Sequence, residues 1–227
     1  MFRYETHLHT NIVSACSGFS PEEIVARYRK LGYQGVFVTD HFLNGNTTVP
    51  QNLPWKERVA RFCDGYRAVK ACAKGALDVF FGLEYSYKGT DFLVYGLNEE
   101  WLFDHYEIMR MPPNEFCLFA RGEGGLVVQA HPMREDFYID HIRLFPHVVD
   151  GFETVNACRD DKTNLLADQF ASVYGLIKTG GSDIHCAVQT HLAGMEFEEK
   201  LTDEHDYAAR LRRGEGRIFI LDDKETL

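Results

Sequence analysis

Strand-like apolar runs and amphipathic segments alternate along the chain, and this pattern predicts an α/β fold. Seven runs have the β-branched and aromatic content that is typical of strands. They are YETHLHT, GVFVTDH, DVFFGLEYS, TDFLVYGL, GLVVQAHP, VVDGFETVNA and LIKTGGSDIH. Strands that are separated by helices pair in parallel, so we expect a largely parallel sheet.

The clearest helix signal follows the first strand. In SPEEIVARYRKLG, we predict Ser20 as the N-cap, Pro21 as the first helical residue, Glu23 as the capping-box partner and Gly32 as the stop. Further helices are predicted in WKERVARFCDGYRAVKACAKG, PNEFCLFARGEG and TNLLADQFASVYG. No repeat or linker interrupts the pattern, so we expect residues 1–227 to form a single domain.

Polar residues stand at or just after the ends of almost all predicted strands. His7 and His9 are two residues apart, so in a strand they lie on one face, and Asp183 and His185 repeat this spacing. The other strand-end residues are Asp40, His41, Glu84, His131, Glu153 and Asn156. Parallel β/α barrels build their sites from strand ends on one rim, so we expect these residues to converge.

Five histidines and two carboxylates in this group form a mixed nitrogen and oxygen ligand set. They are His7, His9, His41, His131, His185, Glu84 and Asp183. Seven ligands are too many for one tetrahedral zinc ion and suit two or three divalent ions that share carboxylates. Zinc, manganese and iron are all candidates, because no cysteine is required. The alternative is that each histidine is satisfied separately in ordinary polar contacts.

Charge and cysteine content indicate which partners and which kind of cross-link we expect the protein to lack. The formal net charge is −10 with no Lys/Arg-rich run, so we expect no binding to extended nucleic acid. A small anionic substrate stays possible, because bound divalent cations reverse the local field. The six cysteines include no CxxC pair, which favours reduced core residues over a disulfide framework.

Hydropathy bears on the cellular location. No apolar stretch approaches the roughly 18 residues of a membrane span, and the N-terminus lacks the features of a secretory signal. We therefore expect a cytoplasmic protein with no membrane contact. The sequence leaves the oligomeric state open.

The ordered motifs HLH, TDH, GLE, AHP and GSDIH resemble those of the PHP family, the polymerase and histidinol phosphatase superfamily of metal-dependent phosphoesterases. The resemblance extends from about residue 4 to about residue 220. It implies a distorted (β/α)7 barrel with two or three metal ions on one rim. The implied ligands are His7, His9, Glu84 and Asp183 for the first ion, Glu84 and His131 for the second, and His41 and His185 for the third.

Two positions depart from the commonest family pattern. After HLH, the sequence SACS offers neither the Asp nor the His that often completes the third ion site. Cys16 either completes that site or is a buried thiol, and we prefer the second interpretation. Asp91 replaces a histidine that often precedes the fourth strand, and it is a candidate oxygen ligand, a strand cap or a solvent-facing residue.

Three polar residues near the ligands are expected to position them. Strand alternation points Asp40 away from His41, where it could hold a ligand imidazole. Glu153 and Asn156 resemble a family segment near the pocket that does not normally supply ligands.

The ligand set and the resemblance together predict hydrolysis of a small phosphate monoester, as in histidinol phosphate phosphatases, by water that the ions activate. The expected catalytic group contains Glu84, Asp183, His185 and Arg159. Arg159 is a candidate phosphate clamp because guanidinium matches phosphate oxygens in a bidentate fork, and Arg134 is a second candidate. The alternatives are a phosphodiesterase or nuclease acting on short nucleotides, or a non-catalytic metal-binding module.

Overall fold

The structure, a computed structural model, describes residues 1–223. Nine strands form one sheet in the order β7-β6-β5-β4-β3-β2-β1-β8-β9. Their bounds are β1 (Phe2–Glu5), β2 (Gly35–Val38), β3 (Asp78–Tyr87), β4 (Thr90–Tyr95), β5 (Leu126–Ala130), β6 (Gly151–Asn156), β7 (Ile177–Gly181), β8 (His191–Phe197) and β9 (Arg217–Asp222). The seven predicted strands are confirmed, and β8 and β9 are additional.

The sheet curls into a nearly closed barrel, because the segments that follow β1 and β7 meet. Leu8 and Ile184 form a parallel bridge there. The Ile184 amide donates to the His7 carbonyl at 3.3 Å, and the His9 amide donates to the Ile184 carbonyl at 3.3 Å. Gly181 allows this approach, since a Cβ at that position would lie 2.6 Å from the Cβ of His7. The predicted barrel-like α/β fold is confirmed.

Strand direction explains how β4 contributes to the rim. Parallel pairing joins β1 to β2, β2 to β3, β5 to β6 and β6 to β7. In contrast, β4 pairs antiparallel with both β3 and β5, so the expected parallel pairing is wrong for this strand. Because β4 runs the other way, its first residues lie beside the carboxyl ends of its neighbours.

Helices connect most of the strands. They are α1 (Pro21–Lys30), α2 (Trp55–Phe62), α3 (Asp64–Ala73), α4 (Glu99–Asp104), α5 (Pro113–Gly122), α6 (Asp161–Tyr174) and α7 (Glu204–Arg212), with a 3-10 helix at Tyr106–Arg110. The capping box of Ser20 and Glu23 is confirmed. The helix predicted after β2 is instead two helices, which break at Cys63. Among residues 1–223, no helix is both long and apolar enough to cross a membrane.

An apolar cluster from β1–β5, β8 and α7 lies beneath the rim. Phe37, Phe80, Leu93 and Tyr95 belong to this cluster and are all buried. Phe80 is four residues before Glu84, and Leu93 is two residues after Asp91, so each pair shares a face of its strand. The polar strand-end groups therefore rest on an apolar floor, which keeps water away from them on that side.

Candidate metal centre

The predicted ligands converge around the carboxylate of Glu84 at the end of β3. Its oxygens lie 2.7 Å from His41 Nδ1, 3.3 Å from His131 Nε2, 3.4 Å from His7 Nε2 and 3.5 Å from His9 Nε2. Glu84 is completely buried. One carboxylate thus faces four imidazoles from three segments of the chain, which is the arrangement expected of a bridging ligand.

The carboxylate of Asp183, beside Glu84, also contacts several of the imidazoles. Its Oδ1 lies 3.3 Å from His9 Nε2, 3.5 Å from His7 Nε2 and 3.6 Å from His185 Nδ1. Its Oδ2 lies 3.9 Å from His131 Nε2. The two ends of the chain therefore meet in one cluster, as the repeated two-residue spacing predicts.

Asp91 joins this cluster from the start of β4. Its Oδ2 is 3.9 Å from His131 Nε2 and 3.5 Å from Arg134 Nη2. Asp91 is buried, so the solvent-facing interpretation is wrong. The antiparallel direction of β4 places Asp91 where it could bind the same ion as Glu84 and His131.

In the described part of the chain, four overlapping groups of side chains could hold a metal ion. They are His9, His41 and His185; His7, His131 and Asp183; His7, His9 and Glu84; and Glu84, Asp91 and His131. Among residues 1–223, His7 Nε2 and His9 Nε2 are buried without a hydrogen-bond partner, and the Glu84 oxygens face only imidazole nitrogens, His41 Nδ1 among them. An unsatisfied buried polar group costs about 1–3 kcal/mol, so several together need an occupant. Divalent cations accept lone pairs from all these atoms and fit the set.

Hydrogen bonds on the far sides of the rings aim the imidazoles inward. His7 Nδ1 lies 2.8 Å from Glu153 Oε1, and His185 Nδ1 lies 2.7 Å from the Asp183 carbonyl oxygen. Carboxylate and carbonyl oxygens only accept, so both Nδ1 atoms carry a proton. Nε2 of each ring is therefore the atom left to bind a metal ion, once any proton on it has been displaced.

Ser14 fixes the ring of His9 in the same way. Its hydroxyl donates to Asp40 Oδ1 at 2.7 Å and accepts from the His41 amide at 3.0 Å. Since its only proton points to Asp40, His9 Nδ1 at 3.2 Å donates to Ser14. Asp40, which the sequence predicts could hold a ligand imidazole, therefore acts on His9 through Ser14.

Glu153 and Asn156 on β6 position ligands, as the sequence predicts. Glu153 Oε2 accepts the backbone amide of His131 at 2.9 Å and the side-chain amide of Asn156 at 2.9 Å. The same Asn156 amide group donates to Asp183 Oδ2 at 3.2 Å. Glu153 and Asn156 thus connect three candidate ligands, since Glu153 also accepts from His7.

Two of the candidate ligands have strained backbones. His131 has φ 27° and Asp183 has φ 51°, in the left-handed region that non-glycine residues rarely adopt. Such conformations cost about 1–3 kcal/mol each and persist where surrounding contacts hold them. The contacts made by Glu153 and Asn156 supply this restraint, so the strain is concentrated where the chain must turn side chains into the centre.

The clustered groups shift one another's pKa values. Burial opposes ionisation of Glu84, but the charges of His41 and His7 outweigh it and hold the pKa of Glu84 well below its usual range. Burial also opposes ionisation of Asp183, but chiefly His7 holds its pKa well below the usual range. Burial lowers the pKa of His9 to about 3. Two ionised carboxylates and a neutral imidazole are therefore available to a cation at neutral pH.

Two arginines stand at different sides of the centre. Arg159 Nη2 lies 3.7 Å from Asp183 Oδ2, and its side chain is 27% exposed. Arg134 lies beside Asp91, and its side chain is 14% exposed. The buried Nε atom of each guanidinium has no hydrogen-bond partner among residues 1–223. Both predicted clamp residues therefore border the cluster and keep a free donor.

The cysteines differ from the sequence expectation. Most are not core residues, because only Cys63 and Cys117 are buried, while Cys16, Cys158 and Cys186 are exposed. The expectation that Cys16 is a buried thiol is wrong. Its thiol makes hydrogen-bonding contact with His185 and His41, which outweighs burial and lowers the pKa of Cys16 to about 6.

Glu5 is a positioning residue that the sequence does not predict. Its buried carboxylate accepts the backbone amides of Thr6, His7 and Ser182, each at 2.9 Å, and the Tyr28 hydroxyl at 2.7 Å. These bonds join the chain before His7 to the chain before Asp183. The available signal is the spacing of Glu5, which ends β1 two residues before His7.

Solved structures share this fold. A two-domain protein from Bacteroides vulgatus, described as containing a predicted PHP-like metal-dependent phosphoesterase, has a TM-score of 0.71 at 16% identity over 96% of this chain. The match covers 64% of that protein, so the present chain spans less than two thirds of its length.

Two further structures match along nearly their whole length. A protein from Bifidobacterium adolescentis, provisionally described as a metal-dependent phosphoesterase, has a TM-score of 0.57 at 16% identity over 92% of this chain and 96% of its own. PsfC from Pseudomonas syringae has a TM-score of 0.61 at 16% identity over 100% of this chain and 94% of its own. The sequence matches no family model. No curated protein matches it either. The chain therefore has the fold of the PHP-like barrels.

Proposed function

We propose that the chain is a metal-dependent phosphoesterase that hydrolyses a small phosphate monoester. The observation that carries this proposal is the set of buried, unpartnered nitrogen and oxygen atoms around Glu84. Proteins of the same fold that are described as metal-dependent phosphoesterases support it.

Two or three divalent ions, of zinc, manganese or iron, fit the donor atoms. We assign His7, His9, Glu84 and Asp183 to the first ion, Glu84, Asp91 and His131 to the second, and His41 and His185 to the third. Bound ions neutralise the charge on phosphoryl oxygens and lower the pKa of a water molecule. Turnover in this proposal depends on the ions for both of these effects.

The arginines bind and orient the phosphate in this proposal. Arg159 reaches the centre beside Asp183 and is the more accessible of the two, so it makes the principal contact. Arg134 approaches from the side of Asp91. Guanidinium groups at two sides of one phosphate fix its orientation, because each presents planar paired donors.

An exposed aromatic pair favours a second candidate function. Phe137 is 98% exposed and Tyr138 is 56% exposed, in the segment after His131, and Arg134 lies 5.8 Å from the Tyr138 ring centre. Nucleobases stack on exposed aromatic rings, so this segment suits a phosphodiesterase that acts on short nucleotides.

Hydrolysis of matched aryl phosphates distinguishes these functions. We expect the ion-loaded chain to hydrolyse an aryl phosphate monoester faster than the corresponding diester, and Phe137→Ala to leave that rate unchanged. Faster diester hydrolysis, together with a loss of nucleotide turnover in Phe137→Ala, would favour the second candidate. Bound ions without turnover of either ester would contradict both and indicate a non-catalytic metal-binding module.

A further inference from the structure

Three imidazoles lie together at one edge of the candidate metal centre. The His9 ring is stacked on those of His41 and His185, with centroid separations of 4.4 and 4.5 Å. Their nitrogen atoms lie close enough together to share one ion. His9 is completely buried, and its Nε2 has no hydrogen-bond partner. This edge therefore has a buried, unpartnered nitrogen of the first ion site beside a position that His41 and His185 can offer to a further ion.

The loop between β1 and α1 brings Cys16 to the same edge. The Ala15 amide donates to the Asn46 carbonyl at 2.9 Å, in the loop that follows His41. On the other side of Cys16, the Gly18 amide donates to the His185 carbonyl at 2.9 Å. The loop is thus attached, on either side of Cys16, to the segments that carry His41 and His185.

The thiol of Cys16 contacts both of these imidazoles. Two imidazoles and a thiol in contact with both are donors of the types that zinc takes in a four-coordinate site. We infer that the Cys16 thiolate is a ligand of the third ion and makes that position selective for zinc-like ions. This inference rests on the metal centre of the proposed function and concerns one of its ions only.

A second thiol nearby serves as the matched control. Cys158 also contacts His185, but its Sγ donates to the Asp183 carbonyl oxygen at 3.2 Å. Cys158 is exposed, as is Cys16. Because the thiol of Cys158 is already engaged and reaches only one of the two imidazoles, it is not the ligand.

A sulfur ligand changes which metal ions the third position prefers. Thiolates prefer zinc, cobalt and iron to manganese or magnesium, whereas a carboxylate at the same place favours the harder ions. An ion bound here takes the sulfur as a thiolate, and any proton on the sulfur or on the two imidazoles passes to solvent. The third position therefore differs in selectivity from the oxygen-rich position formed by Glu84, Asp91 and His131.

Cobalt substitution tests the inference directly, because a thiolate bound to Co²⁺ gives a charge-transfer absorption band in the near ultraviolet. Metal-free wild type, Cys16→Ser and Cys158→Ser are loaded with Co²⁺, and the bound ions are counted in each sample. We expect the band in wild type and Cys158→Ser and its loss in Cys16→Ser, with one ion fewer per chain. Cys16→Asp should regain that ion without the band and shift selectivity towards Mn²⁺.

Persistence of the band in Cys16→Ser would overturn the inference, as would a wild-type spectrum without it. In either case, two remaining ions and continued ester hydrolysis would leave the proposed function intact. Circular dichroism of the metal-free variants checks that each is folded, and Cys16→Asp provides a second reading if the serine variant is unstable.

Discussion

Replacement of Glu153 by glutamine tests whether the ligand imidazoles are positioned as described. The Glu153 carboxylate accepts three hydrogen bonds, from His7 Nδ1 at 2.8 Å and from the His131 amide and the Asn156 side chain at 2.9 Å each. Glutamine has the same shape, but one of its two terminal atoms is a donor. Every orientation of the new amide therefore places a donor against at least one existing donor.

The two orientations have different consequences. If the amide nitrogen faces His7, the proton of that ring moves to Nε2 and removes the lone pair needed for a metal ion. Loss of such a partner weakens metal binding by about 10- to 100-fold, which corresponds to about 1.4–2.8 kcal/mol. If the nitrogen faces His131 instead, a buried backbone amide loses its acceptor at a residue whose φ is already strained, and the free energy of unfolding falls by about 1–3 kcal/mol.

Chelator competition and urea unfolding measure these two effects in the ion-loaded and metal-free protein. Glu198→Gln carries the same charge change at an exposed position and is the control. We expect Glu153→Gln to show weaker ion binding, lower stability or both. If both quantities equal those of the control, the positioning role of Glu153 is refuted.

Three further predictions concern the same centre. Glu84→Gln should lower turnover by orders of magnitude and weaken ion binding in a chelator titration, and near-normal turnover with a full ion count would contradict its bridging role. Arg159→Met should raise KM more than it lowers kcat in steady-state assays, whereas an unchanged KM would exclude the phosphate contact. Burial lowers the pKa of His41, but the charge of Glu84 outweighs it and raises that pKa to about 11. Contacts with Cys158 and Cys16 likewise outweigh burial and raise the pKa of His185 to about 10. Both rings are therefore protonated at pH 7 in the metal-free chain, and zinc must displace these protons to bind. Zinc affinity in a titration should then rise by about tenfold per pH unit for each proton displaced. A constant affinity between pH 7 and 9 would contradict this prediction.

Local patterns in the sequence predict much of the fold. The capping box of Ser20 and Glu23 and the seven buried strands depend on neighbouring residues, so they can be recognised without tertiary information. The antiparallel β4 and the additional β8 and β9 depend on which strands pair. β8 follows β7 without an intervening helix and pairs with β1, so a pattern of alternating strands and helices provides no place for it.

In the candidate site, too, local sequence patterns predict some features, and others depend on contacts between distant segments. The two-residue spacing of His7 and His9 and the strand-end position of Glu84 predict their convergence. The role of Glu5 depends on Ser182, which is distant in the sequence. The exposure of Cys16 depends on how its loop is attached to two other loops, whereas residue type alone favours burial of cysteine.

The most direct test of the central claim couples ion count to hydrolysis. Metal-free chain is titrated with Zn²⁺ or Mn²⁺, and bound ions per chain and release of phosphate from an aryl phosphate monoester are measured in the same samples. The account predicts negligible hydrolysis without ions and a sharp rise in rate as the second ion binds. A rate that is independent of the ions, or two tightly bound ions without hydrolysis, would contradict it.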